Sequence, residues 1–322
     1  MASPAAPLTE AEKEHFRQRG FIHLKNCFTK EQAQSVIDNV WVRLGADPSD
    51  KSTWAERTNM PHHTSFSAAE FAPKAWAAIC ELLGGEDRVS PAMKEWRDSL
   101  IVNLGSAEHE GTEVKPHDLN GWHVDGDFFV HYLDSPEQAL LVIPMFTEVI
   151  PSGGATMICP EAIPKIAKRL YDHPEGLSAY FVPRGDEAFR ENYGVTNFKD
   201  IARSCTDFVE ATGQVGDVIL LHPLMLHSAT PNPQRAVRII TNPPVSVKEP
   251  FNFNRSDGKY SIVEETTMRA LGRDSLPEWK ATGQRERVVP FSTDGKAKMK
   301  EEELKRMAAA NMEAARKVQL AV

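Results

Sequence analysis

His123 and Asp125 stand two residues apart in Gly121-Trp122-His123-Val124-Asp125-Gly126-Asp127, a run that reads as extended. On a strand, residues i and i+2 share a face, so an imidazole and a carboxylate can reach one ion from the same side. Together they make two-thirds of the two-His, one-carboxylate set that holds non-haem Fe(II) and leaves coordination positions open. The third ligand should be a histidine from a distant strand. Gly216-Asp217 opens the apolar run Val218-Ile219-Leu220-Leu221, and the segment ends in Leu224-Met225-Leu226-His227. His222 precedes His227 by five residues, an odd offset that turns it to the opposite face of a regular strand, so it reads as a structural histidine. The candidate metal set is His123, Asp125 and His227.

Iron that activates dioxygen needs an electron source, commonly a bound 2-oxoacid with a distal carboxylate. An arginine fork holds such a carboxylate best. Arg238 lies eleven residues after His227 as an isolated charge in Val237-Arg238-Ile239-Ile240. Desolvating it requires an anionic partner, either a ligand or an Asp or Glu of the chain. Arg235 is nearer to His227 but sits in the turn after Pro231-Asn232-Pro233.

These residues need strands to position them. From about Val89 the chain reads as short extended segments separated by Gly, Pro and Asp. They are Leu100 to Leu104, Trp122 to Phe128, Ala139 to Phe146, Gly154 to Ile158, Val218 to Leu221, Leu224 to His227 and Arg238 to Asn242. Helical signals precede them. Thr9-Glu10-Ala11-Glu12 and Thr29-Lys30-Glu31-Gln32 both have the form of a capping box. Val36, Ile37, Val40, Trp41 and Leu44 recur at helical spacing, as do Trp76, Ile79 and Leu82 within a helix expected over Phe71 to Leu83 and stopped by Gly84-Gly85. Gly20 to Leu24 alternates like a short strand. Residues 46–66 read as a long loop in which His62 and His63 are solvated.

The fold class expected is α+β: a double-stranded β-helix (jelly-roll or cupin-like) core at about 89–250, with an N-terminal helical annex at about 9–88. Residues 1–8 are expected to be disordered, and 9–295 to form a single domain. The block from Glu161 to Arg203 breaks the strand pattern and reads as a lid insertion, with Ile163, Ile166, Ala167 and Leu170 on one helical face. Residues 296–322 read as a C-terminal helix with Met299, Leu304, Met307 and Val318 inward.

Composition excludes several classes. The 322 residues are 41% hydrophobic and 25% charged, enough to bury a full core. A formal charge of −8 argues against nucleic acid as a partner. Four scattered cysteines lack Cys-x-x-Cys spacing, which disfavours zinc knuckles and disulfide frameworks. No run of 18 apolar residues, no hydrophobic signal region and no peroxisomal ending are visible, so cytoplasm without membrane association is expected. The partner expected is a small-molecule substrate; a homodimer is compatible with the sequence but not specified by it.

The motifs together resemble the phytanoyl-CoA dioxygenase-like family of Fe(II)/2-oxoglutarate oxygenases. That family carries His-x-Asp, then Gly-Asp-hydrophobic-His-Pro-Leu-hydrophobic-His, then Arg eleven residues on. Here they stand as His123-Val124-Asp125, Gly216 to His227, and Arg238. The opening from Leu8 to Ile22 also resembles the family's helix-strand unit, so the likeness covers about residues 8–247. It implies Fe(II) on His123, Asp125 and His227, and 2-oxoglutarate on Arg238, with O2 as co-substrate and succinate and CO2 as co-products. It also implies cosubstrate contacts from Thr156 and Asn120. Ser228 departs slightly, since relatives place that serine one residue later, and Pro160-Glu161-Ala162 replaces their Pro-Gly-Ser-His. Trp122, Phe128 and Asn103 are read as lining the substrate cleft. Halogenases of this kind replace the carboxylate ligand with a small residue, so Asp125 implies hydroxylation, or another hydrogen-abstraction outcome. The competing readings are a catalytically silent jelly-roll binding module and a cupin-like isomerase. The second gives no reason for Arg238.

Overall fold

The computed structural model describes residues 8–190, 197–289 and 293–320. The disorder expected for 1–7 therefore lies outside the described residues, while Leu8 is buried.

Both capping boxes form. Thr9 Oγ1 accepts the Glu12 N–H while Glu12 Oε2 accepts the Thr9 N–H, and Thr29 and Gln32 repeat the exchange. The first helix, Glu10–Arg19, ends at Gly20, whose φ of 66° supplies the left-handed cap. The chain passes directly into the strand Phe21–Leu24. The second helical stretch is broken: Lys30–Ile37 and Val40–Leu44 are separate helices joined at Asp38 and Asn39. The helix expected from Phe71 runs over Pro73–Leu82, because proline favours the first turn of a helix and cannot continue one.

All paired strands are antiparallel. One sheet orders Phe21–Leu24, Val218–Leu221, Leu140–Pro144 and Pro244–Val245. Its two central strands are buried along their whole length, as apolar runs covered on both faces should be. A second orders Leu226–Ala229, Thr156–Cys159 and Val209–Ala211. A third orders Arg238–Ile240, Ile101–Asn103 and Arg57–Asn59. Ser65–Ser67 pairs with Glu95–Arg97. The architecture is thus mixed helix and antiparallel sheet.

Three expectations are corrected. Trp122 to Phe128 is not a regular strand: it touches the second sheet only through the bridge between His123 and His227. Gly126, at φ 126°, turns the chain where a Cβ would come within 2.6 Å of His131 and Phe129. The loop expected over 46–66 contains Arg57–Asn59, a polar strand with no alternation to reveal it. The C-terminal helix, Thr293–Leu320, turns Glu303 inward, whereas Leu304 and Val318 are 50% and 67% exposed. His63 belongs with that correction, since its Nε2 meets Glu303 Oε2 at 2.7 Å instead of facing solvent. Met299 and Met307 are half-buried.

In the 161–203 block, helix Ile163–Asp172 buries Ile163, Ile166, Ala167 and Leu170 and packs against helix Ile262–Ala270. The stretch 191–196 lies outside the described residues. The four cysteines are free thiols. No described helix is long and apolar enough to cross a membrane.

Candidate metal centre

His123 and His227 exchange both backbone hydrogen bonds, at 2.9 and 3.0 Å, which sets their rings side by side with centroids 4.2 Å apart. Asp125 Oδ1 lies 3.3 Å from His123 Nε2 and 3.4 Å from His227 Nε2. Ligand atoms about 2.1 Å from one ion and at right angles stand about 3 Å apart, so the two edges that meet at Asp125 are close to those of a facial set, and the third is within 4.8 Å. Among the described residues, this trio forms the His/Cys/Asp/Glu cluster of metal-binding dimensions.

The protein aims the donors. His123 Nδ1–H donates to the Gly121 carbonyl at 2.7 Å and His227 Nδ1–H to the Met225 carbonyl at 3.0 Å. A carbonyl only accepts, so each Nδ1 keeps the proton and each Nε2 presents its lone pair to the centre. Asn242 Nδ2 donates to Asp125 Oδ2 at 3.1 Å, leaving Oδ1 toward the imidazoles. Burial opposes the Asp125 charge, but His227 and His123 outweigh it and hold the carboxyl well below its usual range. The protein packed around the His123 ring opposes its protonation although about half of the side chain meets solvent, and Asp125 overcomes this and raises the group. The His123 side chain is 48% exposed and His227 7%, so the site opens on the His123 side.

Arg238 is buried at 3% exposure, yet no described Asp or Glu pairs with it. Its Nη2 donates to Thr156 Oγ1 at 3.0 Å, its Nη1 reaches the Ile101 carbonyl only at 3.5 Å, and its Nε has no partner. Desolvation, and then the nearby charge of Arg57, push it down to about 9. A guanidinium keeps its proton at neutral pH, so Arg238 is a buried cation with no counter-ion among the described residues. Arg235 shares the unpartnered Nε but has a carboxylate in reach: it lies 3.6 Å from Glu110, donates to the Lys51 carbonyl at 2.8 Å and stacks over Trp54.

The remaining expected site residues divide. Thr156 is at the site, as the hydroxyl that Arg238 grips. Asn120 stands at the mouth, where its Oδ1 accepts from Lys199 of helix Asn197–Arg203. Asn103 is buried as a stitch, donating to the Thr230 carbonyl at 2.9 Å and accepting from Gly105 N–H. Ser228 is buried and bonds the Ala229 carbonyl. Trp122 is in the core, with its indole on the Pro116 carbonyl and packed on Phe208. Phe128 is half-buried edge-on to Phe129. His222 is structural as expected: its Nδ1 accepts from Leu224 N–H, its Nε2 meets Thr267 Oγ1, and burial pushes it down to about 3.

Sequence reading missed Asn242 and Arg57. Asn242 had a signal, because it stands four residues after Arg238 in a segment read as a strand and so shares its face.

No protein-family model matches the chain, and no curated protein matches it. Among solved structures it is similar to HygX from Streptomyces hygroscopicus with nickel and 2-oxoglutarate bound, at 10% identity over 76% of this chain and 88% of that chain, TM-score 0.41. It is similar to the non-haem α-ketoglutarate-dependent carbocyclase SnoK from nogalamycin biosynthesis, at 14% identity over 76% and 87%, TM-score 0.39. It is also similar to the non-haem monooxygenase ThoJ in complex with nickel, at 16% identity over 96% and 99%, TM-score 0.38.

Proposed function

We propose that the chain is a non-haem Fe(II)/2-oxoglutarate-dependent oxygenase of the phytanoyl-CoA dioxygenase-like kind, with a jelly-roll core, that hydroxylates an aliphatic C–H bond of a small organic substrate. The observation that carries this reading is Arg238, a buried guanidinium with an orphaned Nε and no carboxylate, in a protein whose two imidazoles and one carboxylate converge on a point. Such a cation is costly unless an anion enters. The donor set fits iron: two neutral nitrogens and one carboxylate oxygen, all pre-aimed.

His123, Asp125 and His227 would hold the metal, and Arg238 with Thr156 the distal carboxylate. Bound there, iron and 2-oxoglutarate supply the chemistry that activates dioxygen and abstracts hydrogen, with succinate and CO2 as co-products. The chain's own contribution is to fix the ligand geometry, through the Gly121 and Met225 carbonyls and Asn242, and to clamp the acid in a desolvated place. Asp125 fills the position that a halogenase leaves for chloride. Of the block from Glu161 to Arg203, helix Ile163–Asp172 packs into the core, which leaves helix Asn197–Arg203, tied to the mouth by Lys199 and Asn120, as the part that would act as a lid and set substrate choice.

Anaerobic metal and ligand titrations test the reading. Wild-type protein should bind one Fe(II), and His123→Ala, Asp125→Ala and His227→Ala should each abolish succinate formation with the fold intact by circular dichroism. Arg238→Ala should weaken 2-oxoglutarate by about 2–5 kcal/mol, and Arg235→Ala should change it little. Stoichiometric iron in the triple ligand variant, or equal losses at the two arginines, would overturn the assignment.

A further inference from the structure

The third sheet sets three polar residues in one row, with Arg238 opposite Asn103 and Asn103 opposite Arg57. Directly opposed residues project from the same face of a sheet. At about 4.8 Å between strands, the two arginine α-carbons stand about 10 Å apart. One is buried and the other is exposed to a cleft of about 590 Å³, walled by Leu119, Asn120, Ala229 and Pro231. No described carboxylate pairs with Arg57. Of the acids along the cleft, Glu56 lies 3.3 Å from His109, and Asp118 comes from the segment that carries Asn120.

Arg57 is near enough for its charge to weigh against the cation of Arg238. Two guanidinium groups on one face of a sheet repel, and the row holds no carboxylate to separate them. A distal carboxylate on Arg238 accounts for one of the two cations. The other is left over, on the side where the cleft opens.

We propose that Arg57 is a specificity residue that receives a carboxylate of the primary substrate, so that the substrates of this protein are small organic acids. The proposal rests on the oxygenase reading for what happens to that substrate, but not for the binding itself. A planar guanidinium fork matches a carboxylate through two parallel N–H donors, and it discriminates strongly against a neutral group of the same length. Its partly solvated position suits a ligand that must enter and leave, whereas the buried Arg238 suits one held through the reaction.

The test uses two probes of equal length, hexanoate and hexan-1-ol, with the full chain and saturating 2-oxoglutarate, read by saturation-transfer NMR titration. Wild-type protein should bind hexanoate about tenfold more tightly than hexan-1-ol, as a charge-assisted hydrogen bond predicts. Arg57→Met should reduce that preference to less than about threefold, and Arg57→Lys should restore part of it. Calorimetry on the same variants separates the two acid sites: 2-oxoglutarate should weaken less than about threefold in Arg57→Met but more than about thirtyfold in Arg238→Met. Equal binding of acid and alcohol by the wild type, or an unchanged preference in Arg57→Met, would overturn the proposal. So would a loss of 2-oxoglutarate in Arg57→Met as large as in Arg238→Met, which would assign Arg57 to the cosubstrate. Failure of the oxygenase reading would appear separately, as wild-type protein that takes up no 2-oxoglutarate, and would leave the hexanoate comparison readable.

Discussion

Arg43 and Arg238 are buried to the same degree, at 1% and 3% exposure, and the protein treats them in opposite ways. Arg43 spends its fork on the chain itself. Its Nε donates to Glu303 Oε2 at 2.9 Å, its Nη1 to Asp98 Oδ2 at 2.9 Å and its Nη2 to the Pro61 carbonyl at 2.7 Å. Asp98 is in turn held by the N–H groups of His63 and Thr64. Arg238 has one good bond, to a hydroxyl. A buried arginine whose charge is neutralised by the chain is a structural tie, here fastening the C-terminal helix to the N-terminal part. One whose charge is left open is a receptor. Burial alone does not separate the two cases; the count of carboxylates around the fork does.

Four variants would break or sharpen this contrast. The largest effect belongs to Glu303→Ala, which leaves Arg43 buried with part of its charge unpaired. It should cost about 3–5 kcal/mol in urea unfolding. A loss below about 1 kcal/mol would mean that water reaches Arg43 and that the cluster is not a tie.

Arg238→Met should move stability the other way. Replacing an unpaired buried cation with an apolar chain of similar length should leave the ligand-free protein unchanged or more stable, by on the order of 2 kcal/mol. The same variant should lose the stabilisation that 2-oxoglutarate confers on wild type, about 2.7 kcal/mol at a hundred times Kd. Destabilisation of the ligand-free protein by Arg238→Met would instead place Arg238 with Arg43.

Glu264 shows the structural arrangement centred on an acid, and it supplies a pH test. Burial raises its pKa, but Arg88 and Arg255, with the Asn252 and Ser261 N–H groups, outweigh it and bring the group down to about 2 from 4.5. A depressed carboxyl binds fewer protons when folded than when unfolded, so its contribution is complete above pH 4.5 and disappears as pH falls through 2. Glu264→Gln should cost about 1.5–3 kcal/mol at pH 7, and its unfolding curve should approach that of the wild type as pH falls from 4.5 toward 2. A gap that stays constant over that range would remove the charge from the explanation. The smallest effect is expected for Arg235→Ala, about 1 kcal/mol in the same unfolding assay, because its side chain is only 10% exposed but the carboxylate it leaves behind, Glu110, is 55% exposed and stays solvated.

Much of the site was legible before folding, for reasons that lie close along the chain. His123 and Asp125 are two residues apart, and the length of backbone between them suffices to bring them to one side even though the segment is not a regular strand. The capping boxes at Thr9 and Thr29 close over three residues and need nothing distant. His222 and His227 were told apart by parity, and the outcome agrees for another reason: the turn after Leu221 sends Val218–Leu221 and Leu226–Ala229 into different sheets, which leaves His222 buried against Thr267. Arg238 stood out because a charge amid Val237, Ile239 and Ile240 contradicts its own surroundings.

What remained hidden depends on partners far away in sequence. Arg57 lies in a three-residue strand made of Arg, Thr and Asn, whose only reason to extend is the ladder offered by Ile101–Asn103. The rotation of the C-terminal helix was decided by Glu303 reaching Arg43, 260 residues earlier, and a hydrophobic stripe cannot report a helix face chosen by a carboxylate. The sequence by itself determined the ligand types, their spacing and the isolated cation, since those are properties of neighbouring residues. Only the tertiary structure decided which cations the chain would neutralise, because a counter-ion is a matter of distance in space, and the carboxylates that complete Arg43 were never within reach of Arg238.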